Sequence, residues 1–241
     1  MKNTLFLSAL FILTGFNTRC QNIPDSLTSN KGWYWGITLK PSYNYRKIEG
    51  EKTDEVNFQD SVQVPDWTCD FGILFSKYFN KKIRIETGFI YSNKGYKSKE
   101  YLIPALAGSA WSGFYTSYVI INDNFYFSYL DIPVLIDYKF LNKKFSIQAG
   151  CGIVFNIFLA SGNSDESFPH DYYYYLPSNS SISGEFKIGI SYLSNNHEFS
   201  ISSNYQQTFF SVVRSSFEKI YLYSYKFEFS YFKKIIPRNK K

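Results

Sequence analysis

The sequence predicts an all-β fold, an eight-stranded antiparallel up-and-down transmembrane β-barrel with long loops on one side and short turns on the other. Three observations predict it: eight segments alternate with a period of two, the connections between them alternate in length, and charge is confined to one face of each segment. The 241 residues suffice for one large all-β domain, and an aromatic content of 21% favours strands.

The clearest alternation lies between Tyr129 and Ala160, which read as two strands joined by a tight turn at Asn142-Lys143-Lys144. From Phe145 onward, the odd-numbered residues are all apolar, and most of the even-numbered ones are polar or glycine. Because successive side chains in a strand point to opposite faces, one whole face is suited to an apolar medium.

The remaining strands follow from the same period. The eight predicted segments are 33–46, 66–79, 83–97, 125–140, 145–160, 182–194, 198–208 and 220–232. Three connections are tight turns (80–82, 141–144 and 194–197), and four are longer (47–65, 98–124, 161–181 and 209–219). Short turns at one end and long loops at the other are typical of outer-membrane barrels, with both termini in the periplasm.

The distribution of ionisable residues between the two faces distinguishes a membrane barrel from a soluble, lipocalin-like barrel, whose strands also alternate. Apart from Lys97 at the very end of the third segment, we find one ionisable residue on the apolar parity of the segments, Lys77. The opposite parity carries Lys40, Arg46, Asp66, Asp70, Arg84, Glu86, Lys94, Asp131, Asp137, Lys139, Glu185, Lys187, Glu198, Lys226 and Glu228. Since Lys or Arg at the lipid midplane costs roughly 2–4 kcal/mol, this exclusion predicts that the apolar face contacts lipid.

Glycine and aromatic residues support the same orientation. The polar parity holds Gly36, Gly72, Gly88, Gly150, Gly152 and Gly189, with Gly184 as an exception, which suits a crowded, narrow interior. The apolar parity carries rings towards the strand ends, namely Trp33, Trp35, Tyr43, Tyr45, Tyr221, Tyr223 and Tyr231. Such amphipathic rings prefer the membrane–water interface.

Eight strands enclose a space that side chains can fill, so we expect the inward charges to pair with one another. Because the last strand closes against the first, Lys226 and Glu228 should lie beside Lys40. Asp131 is expected to be a member of this network rather than a catalytic residue. A proton path or selective pore is the alternative, and a conducting channel would need a wider bore.

The N-terminus predicts export. Met1-Lys2-Asn3 followed by the apolar stretch 5–16 matches a secretory signal, with cleavage before Gln21; Cys20 as a lipoprotein acceptor is the alternative. The predicted organisation is a signal peptide at 1–20, a periplasmic segment at 21–32, the outer-membrane barrel at 33–232 and a basic tail at 233–241. The expected location is the outer membrane of a Gram-negative bacterium. A net charge of +6 gives little reason to expect an anionic partner, and we expect no nucleic acid.

Few residues of the sequence could form a catalytic site, and we predict no catalytic, cofactor-binding or metal-binding residues and no cofactor. Cys69 and Cys151 fall on the apolar parity as small hydrophobic residues, and His197 lies in a tight turn.

One loop supplies an alternative function. His170 is followed by Asp171 and preceded by Ser, Asp and Glu at 164–167, and some eight-stranded outer-membrane enzymes remodel lipid A with a serine, a histidine and an acid.

Three further features concern surfaces. β-rich sequence flanking Asn122-Asp123-Asn124 predicts a hairpin above the bilayer, as a cap or a partner-binding surface. Tyr172–Tyr175 fits an aromatic belt or, alternatively, a recognition surface. Phe232 fits the terminal aromatic of the last strand that the barrel insertion machinery reads, although nine residues follow it.

The middle of the chain resembles a known family. The segments Ile85–Lys97 (IETGFIYSNKGYK), Tyr129–Phe140 (YLDIPVLIDYKF) and Phe145–Phe158 (FSIQAGCGIVFNIF) are similar to PorT-type outer-membrane β-barrel proteins. The resemblance implies an exported eight-stranded barrel and an association with protein secretion; it defines no functional residues. The expected function is a non-enzymatic structural, docking or binding role. The expected partners are outer-membrane lipid, the insertion machinery, and secretion-system or cell-envelope proteins.

Overall fold

The computed structural model describes residues 32–50, 63–99, 101–107, 115–121, 124–140, 144–163, 180–194, 196–212 and 218–236. The predicted signal peptide, the loop around His170, Tyr172–Tyr175 and the end of the basic tail lie outside these described residues. Within the described ranges, no helix has the length and apolar character needed to cross a membrane.

Strands account for nearly all of the described chain. In order they are β1 (Gly32–Gly50), β2 (Gln63–Tyr78), β3 (Ile83–Asn93), β4 (Tyr96–Ser98), β5 (Tyr101–Ala107), β6 (Tyr115–Ile121), β7 (Asn124–Lys139), β8 (Phe145–Asn163), β9 (Ser180–Ser194), β10 (His197–Thr208) and β11 (Glu218–Lys234). Every predicted segment is a strand, and most extend beyond the prediction at the end that carries the long connections.

The long strands close into a barrel. Antiparallel pairing follows the order β1-β11-β10-β9-β8-β7-β3-β2, and β2 pairs with β1 to complete the ring. A break at Lys94 and Gly95 separates β3 from β4, and β4 then lies between β2 and β7 in the same wall. Because β3 and β4 together occupy one wall position, the predicted eight-stranded antiparallel barrel is confirmed.

A separate hairpin stands in the second long connection. β5 and β6 pair antiparallel, with Tyr101 opposite Ile121 and Ala107 opposite Tyr115. The predicted hairpin around Asn122–Asn124 is therefore misplaced. The apolar segment before Asn122 pairs backwards with β5 rather than forwards with β7. The residues between the two paired strands, 108–114, lie outside the described residues.

The outer face of the barrel is apolar, as the alternation predicts. Ile37, Phe71 and Ile188 are 55%, 56% and 52% exposed, and Cys69 and Cys151 lie on the same face as free thiols. Lys77, the charge on this parity, lies near the turn between β2 and β3. Its ammonium is 5.0 Å from the Trp33 ring and 5.3 Å from the Phe79 ring, so it is sheltered by aromatic faces.

Two glycines allow neighbouring strands to approach more closely than a side chain permits. A Cβ at Gly72 would collide with the carbonyl of Phe89, and one at Gly152 with the carbonyl of Val134. Glycine at such positions lets a strand bend sharply, which a narrow barrel needs in order to close.

The end of β11 differs from the sequence prediction in two respects. The strand continues to Lys234, so Lys233 and Lys234 belong to the wall and not to a tail. Phe232 is fully buried and packs inside the barrel with Tyr34 and Tyr78, because it has the inward parity of the strand. The outward aromatic near this end is Tyr231, whose role in insertion stays a prediction.

Candidate functional site

The interior of the barrel holds the predicted charges. All of the inward charges named above are buried except Arg46 and Asp66, which are half-buried at the outer end. Asp66 there pairs with Lys97 at 2.8 Å, and the Arg46 guanidinium donates to the Gln63 side chain at 3.1 Å. The rest form clusters of ion pairs at different depths.

The periplasmic cluster is built around Arg84 of β3. Its guanidinium reaches Asp137 at 2.6 Å, Glu198 at 3.0 Å and Glu86 at 3.1 Å. These carboxylates come from β7, β10 and β3, so one side chain ties three strands together. Arginine suits this position because its planar fork presents five donors in fixed directions.

Two lysines complete the cluster. Lys139 contacts Glu198 at 2.9 Å, and Lys187 contacts Glu86 at 2.9 Å and Asp137 at 3.3 Å. With Arg84, three cations face three carboxylates, so the cluster is neutral. Neutrality and mutual contact are what make ionic groups tolerable away from water.

An outer cluster contains Asp131, which the sequence assigns to the charge network. Asp131 is 2.9 Å from Lys94 and accepts a hydrogen bond of 2.7 Å from the Asn156 amide. Lys226 lies 3.9 Å from Asp131 and 2.7 Å from Asp70. The prediction that Asp131 belongs to this network is confirmed.

A third cluster lies at the junction of β1 and β11. Lys40 is 3.2 Å from Glu228 and 3.5 Å from Glu185, and the Asn204 amide donates to both carboxylates at 2.7 Å. The predicted proximity of Lys40 and Glu228 is confirmed. Lys226 pairs with Asp70 instead, because the register places it opposite Ser42, one inward position farther along β1.

Apolar side chains form two buried groups in the lumen, one towards each end. The outer roof consists of Ile48, Phe127, Tyr129, Val212, Ile220 and Leu222, with Phe158 packed against it. The group near the periplasmic end consists of Tyr34, Leu74, Tyr78, Ile90 and Phe232, and the Arg84 guanidinium lies 5.0 Å from the Phe232 ring.

Val212, just after β10, is fully buried in this outer roof. Its N–H donates to the Ile220 carbonyl at 2.8 Å, and the Ile220 N–H donates to the Ser211 hydroxyl at 2.9 Å. The burial of Val212 could not be predicted from the sequence, because a single valine in a loop carries no periodic signal.

The histidines give no catalytic arrangement in the described part of the chain. His197 Nδ1 is 2.6 Å from the Tyr231 hydroxyl and its ring stacks on Tyr231, beside the turn before β10. His170 and its neighbouring serine and acids lie outside the described residues. Among the described residues, no cluster of His, Cys, Asp or Glu could hold a metal ion.

The fold and its two surfaces define the class of protein. A closed antiparallel barrel with an apolar exterior, a charged and filled interior, short turns at one end and long connections at the other is a transmembrane β-barrel. The protein is therefore an integral β-barrel of the Gram-negative outer membrane, with β4 and the β5–β6 hairpin on the extracellular side.

Comparisons with known proteins give fold-level similarity alone. No protein-family model matches the sequence, and no curated protein matches it. Among solved structures, the chain is similar to Neisserial surface protein A, with 12% identity, 85% of this chain and 98% of the other covered, and a TM-score of 0.47. It is also similar to the outer-membrane protein OprG of Pseudomonas aeruginosa, with 12% identity, 85% and 97% coverage, and a TM-score of 0.48. At such values the similarities assign no function to this chain.

Proposed function

We propose that the protein is a non-conducting, non-enzymatic outer-membrane barrel that presents its extracellular β-structure for docking. The observation that carries the proposal is the filled lumen. Clusters of buried ion pairs occupy the bore, two of them neutral and the third, around Lys40, with one carboxylate in excess. Buried apolar side chains, including Val212 and Phe232, lie towards its ends. A bore of this kind anchors the chain in the membrane and does not admit solutes, since conduction needs a wider lumen.

The extracellular strands supply the docking surface. β2, β4 and β7 continue the barrel wall outward, and within the described residues β5 and β6 pair only with each other. A two-stranded sheet has backbone donors and acceptors along its edges, and an added strand from a partner can pair with them.

A more specific proposal concerns the identity of the docking partner. The PorT-type resemblance covers β3 and β4 and then β7 and β8, strands that are neighbours in the wall. On that resemblance, the partner is a component of a protein-secretion apparatus in the same membrane.

The test combines secretion with conductance. A deletion strain should export fewer proteins to the medium, and the wild-type chain should restore export. A variant with residues 101–121 replaced by a short Gly-Ser linker should form a heat-modifiable barrel without restoring export; full restoration would contradict docking through the hairpin. Purified barrel in planar bilayers should give no stepwise conductance, and a stable open level would contradict the filled lumen.

The enzyme alternative has its own measurement. Lipid A from the deletion strain and from a strain carrying His170→Ala should have the same mass spectrum as wild type. Loss of an acyl chain or another modification in either strain would replace the docking proposal with a lipid-modifying activity of the third loop.

A further inference from the structure

A patch of mutually stacked tyrosines lies on the lipid-facing wall at its extracellular end. We define the tyrosine patch as Tyr45 of β1, Tyr223 and Tyr225 of β11, and Tyr205 of β10. The Tyr45 ring is 4.9 Å from the Tyr223 ring at an interplanar angle of 11°, and 5.9 Å from the Tyr225 ring. Tyr205 is 5.2 Å from Tyr225. The four rings therefore form one contiguous group across three adjacent strands, in which Tyr45 stacks on Tyr223 and Tyr225.

Gln207 contacts two of the hydroxyls at the polar edge of the tyrosine patch. The Tyr205 hydroxyl donates to the Gln207 side-chain oxygen at 3.1 Å, and the Gln207 amide lies 3.5 Å from the Tyr223 hydroxyl. An aromatic girdle needs only rings at the level of the headgroups. Here the rings contact one another and the Gln207 side chain bonds two of their hydroxyls, so the patch presents the half-exposed Tyr225 ring and the edges of the stack beside several hydrogen-bonding groups. Sugar rings, with C–H faces and hydroxyl edges, match that combination.

Positive charge lies at the outer edge of the patch. Lys47 is exposed two residues beyond Tyr45 on β1, about 7 Å farther out along the strand. Lys219 is exposed near the start of β11, where its register partner is Glu49. A lysine on a flexible stem binds phosphate as a point charge and keeps its ammonium at the level of the headgroups.

An apolar groove crosses the same wall below the patch, with a volume of about 900 Å³. Outward side chains of six adjacent strands, β7, β3, β2, β1, β11 and β10, form its sides, including Ile37 and Leu39, and its floor includes Gly72 and Ser230. Leu39 is six residues from Tyr45, which is about 20 Å along a tilted strand. An acyl chain that begins at the patch and follows the wall towards the bilayer centre reaches this groove.

We propose that the tyrosine patch, Lys47, Lys219 and the groove form a binding site for the phosphorylated, acylated disaccharide of the outer leaflet, the lipid A part of lipopolysaccharide. The sugar rings pack against the exposed Tyr225 ring and the hydroxyl edge of the tyrosine patch, a phosphate contacts the lysines, and an acyl chain enters the groove. A glycerophospholipid shares the phosphate and the acyl chains but lacks the sugar rings. The site does not depend on the docking function proposed above.

The experiment uses the full mature barrel in detergent and native mass spectrometry of bound lipid, with lipid A and phosphatidylglycerol offered at equal concentration. Wild type should retain one lipid A and at least tenfold less phosphatidylglycerol. Tyr45→Leu with Tyr223→Leu, and separately Lys47→Ala with Lys219→Ala, should each reduce lipid A retention about tenfold.

Two control variants test whether the loss of lipid A retention is specific to the patch residues. Tyr126→Leu changes an exposed tyrosine at the outer end of β7, and Lys233→Ala changes an exposed lysine at the periplasmic end of β11. Both should retain lipid A as wild type does, and heat-modifiable mobility should show all variants folded. If the patch variants bind lipid A normally, or if phosphatidylglycerol is retained as well as lipid A, the proposal is wrong. If the alanine variant fails to fold, Lys47→Gln with Lys219→Gln removes the charge and keeps a polar stem: loss of lipid A retention supports the site, and unchanged retention contradicts it.

Discussion

Glu198 is the residue at which the ionic lumen can be tested most sharply. It is fully buried, and its carboxylate contacts Arg84 at 3.0 Å and Lys139 at 2.9 Å and accepts a hydrogen bond of 2.7 Å from the Tyr78 hydroxyl. Arg84 keeps Asp137 when Glu198 is neutralised, whereas Lys139 loses the carboxylate that it contacts. Glu198→Gln therefore leaves the periplasmic cluster with one excess positive charge in a site without bulk water.

The expected loss is about 3–5 kcal/mol of unfolding free energy, the range for breaking a buried ion pair from one side. Lys139→Met should also destabilise, because it leaves an excess negative charge. The double variant restores neutrality and replaces the lysine stem with an apolar chain of similar length. Its loss should therefore be smaller than the sum of the two single losses by about 1–3 kcal/mol.

Reversible urea unfolding in lipid vesicles measures all four proteins of this cycle. Trp33, Trp35 and Trp67 are exposed on the lipid-facing wall, so their fluorescence reports transfer from lipid to water. Additive losses, within about 0.5 kcal/mol, would refute the view that the cluster is stabilised by local charge balance.

Three further predictions concern the wall. Ile188→Arg places a charge on the lipid face and should lower the free energy of unfolding by about 2–4 kcal/mol in urea titrations, and an unchanged midpoint would argue against lipid contact there. Cys69 and Cys151 should resist a membrane-impermeant maleimide in vesicles and react after unfolding, whereas rapid labelling of the folded barrel would place them in water. Gly152→Ala puts a Cβ against a backbone carbonyl and should destabilise by about 1–3 kcal/mol in the same titrations; Gly184→Ala, which meets a movable aromatic ring, should cost less, and equal losses would contradict this account.

The architecture could be predicted from the sequence because parity is a local property. The position of a residue along a strand decides which face its side chain lies on. Lys187 stands between two apolar residues, so if these face lipid, its charge must face the interior. The exclusion of charge from the other face, with Lys77 as the exception near a turn, then selects a membrane barrel over a soluble one.

The pairing inside the barrel could not be predicted in full, because it depends on register and side-chain reach. The proximity of Lys40 and Glu228 follows from closure of the last strand on the first. The pairing of Lys226 with Asp70 does not follow from closure alone. It depends on the register of β11 against β1 and of β1 against β2, which the sequence pattern does not give. Phe232 shows the same limit: its parity was visible, but its packing against Tyr34 depends on contacts between strands far apart in the chain.

The pairing of Lys40 with carboxylates of other strands has a consequence for how the chain enters the membrane. Apart from Arg84 and Glu86, which share β3, the inward charges meet their opposites only after different strands are side by side, and the Lys40–Glu228 pair needs the first and last strands of the barrel together. A half-formed sheet would present unpaired lysines and carboxylates to hydrocarbon, at a cost of several kcal/mol for each. Assembly of this barrel should therefore be close to all-or-none, with its charged face shielded from lipid until the first and last strands meet.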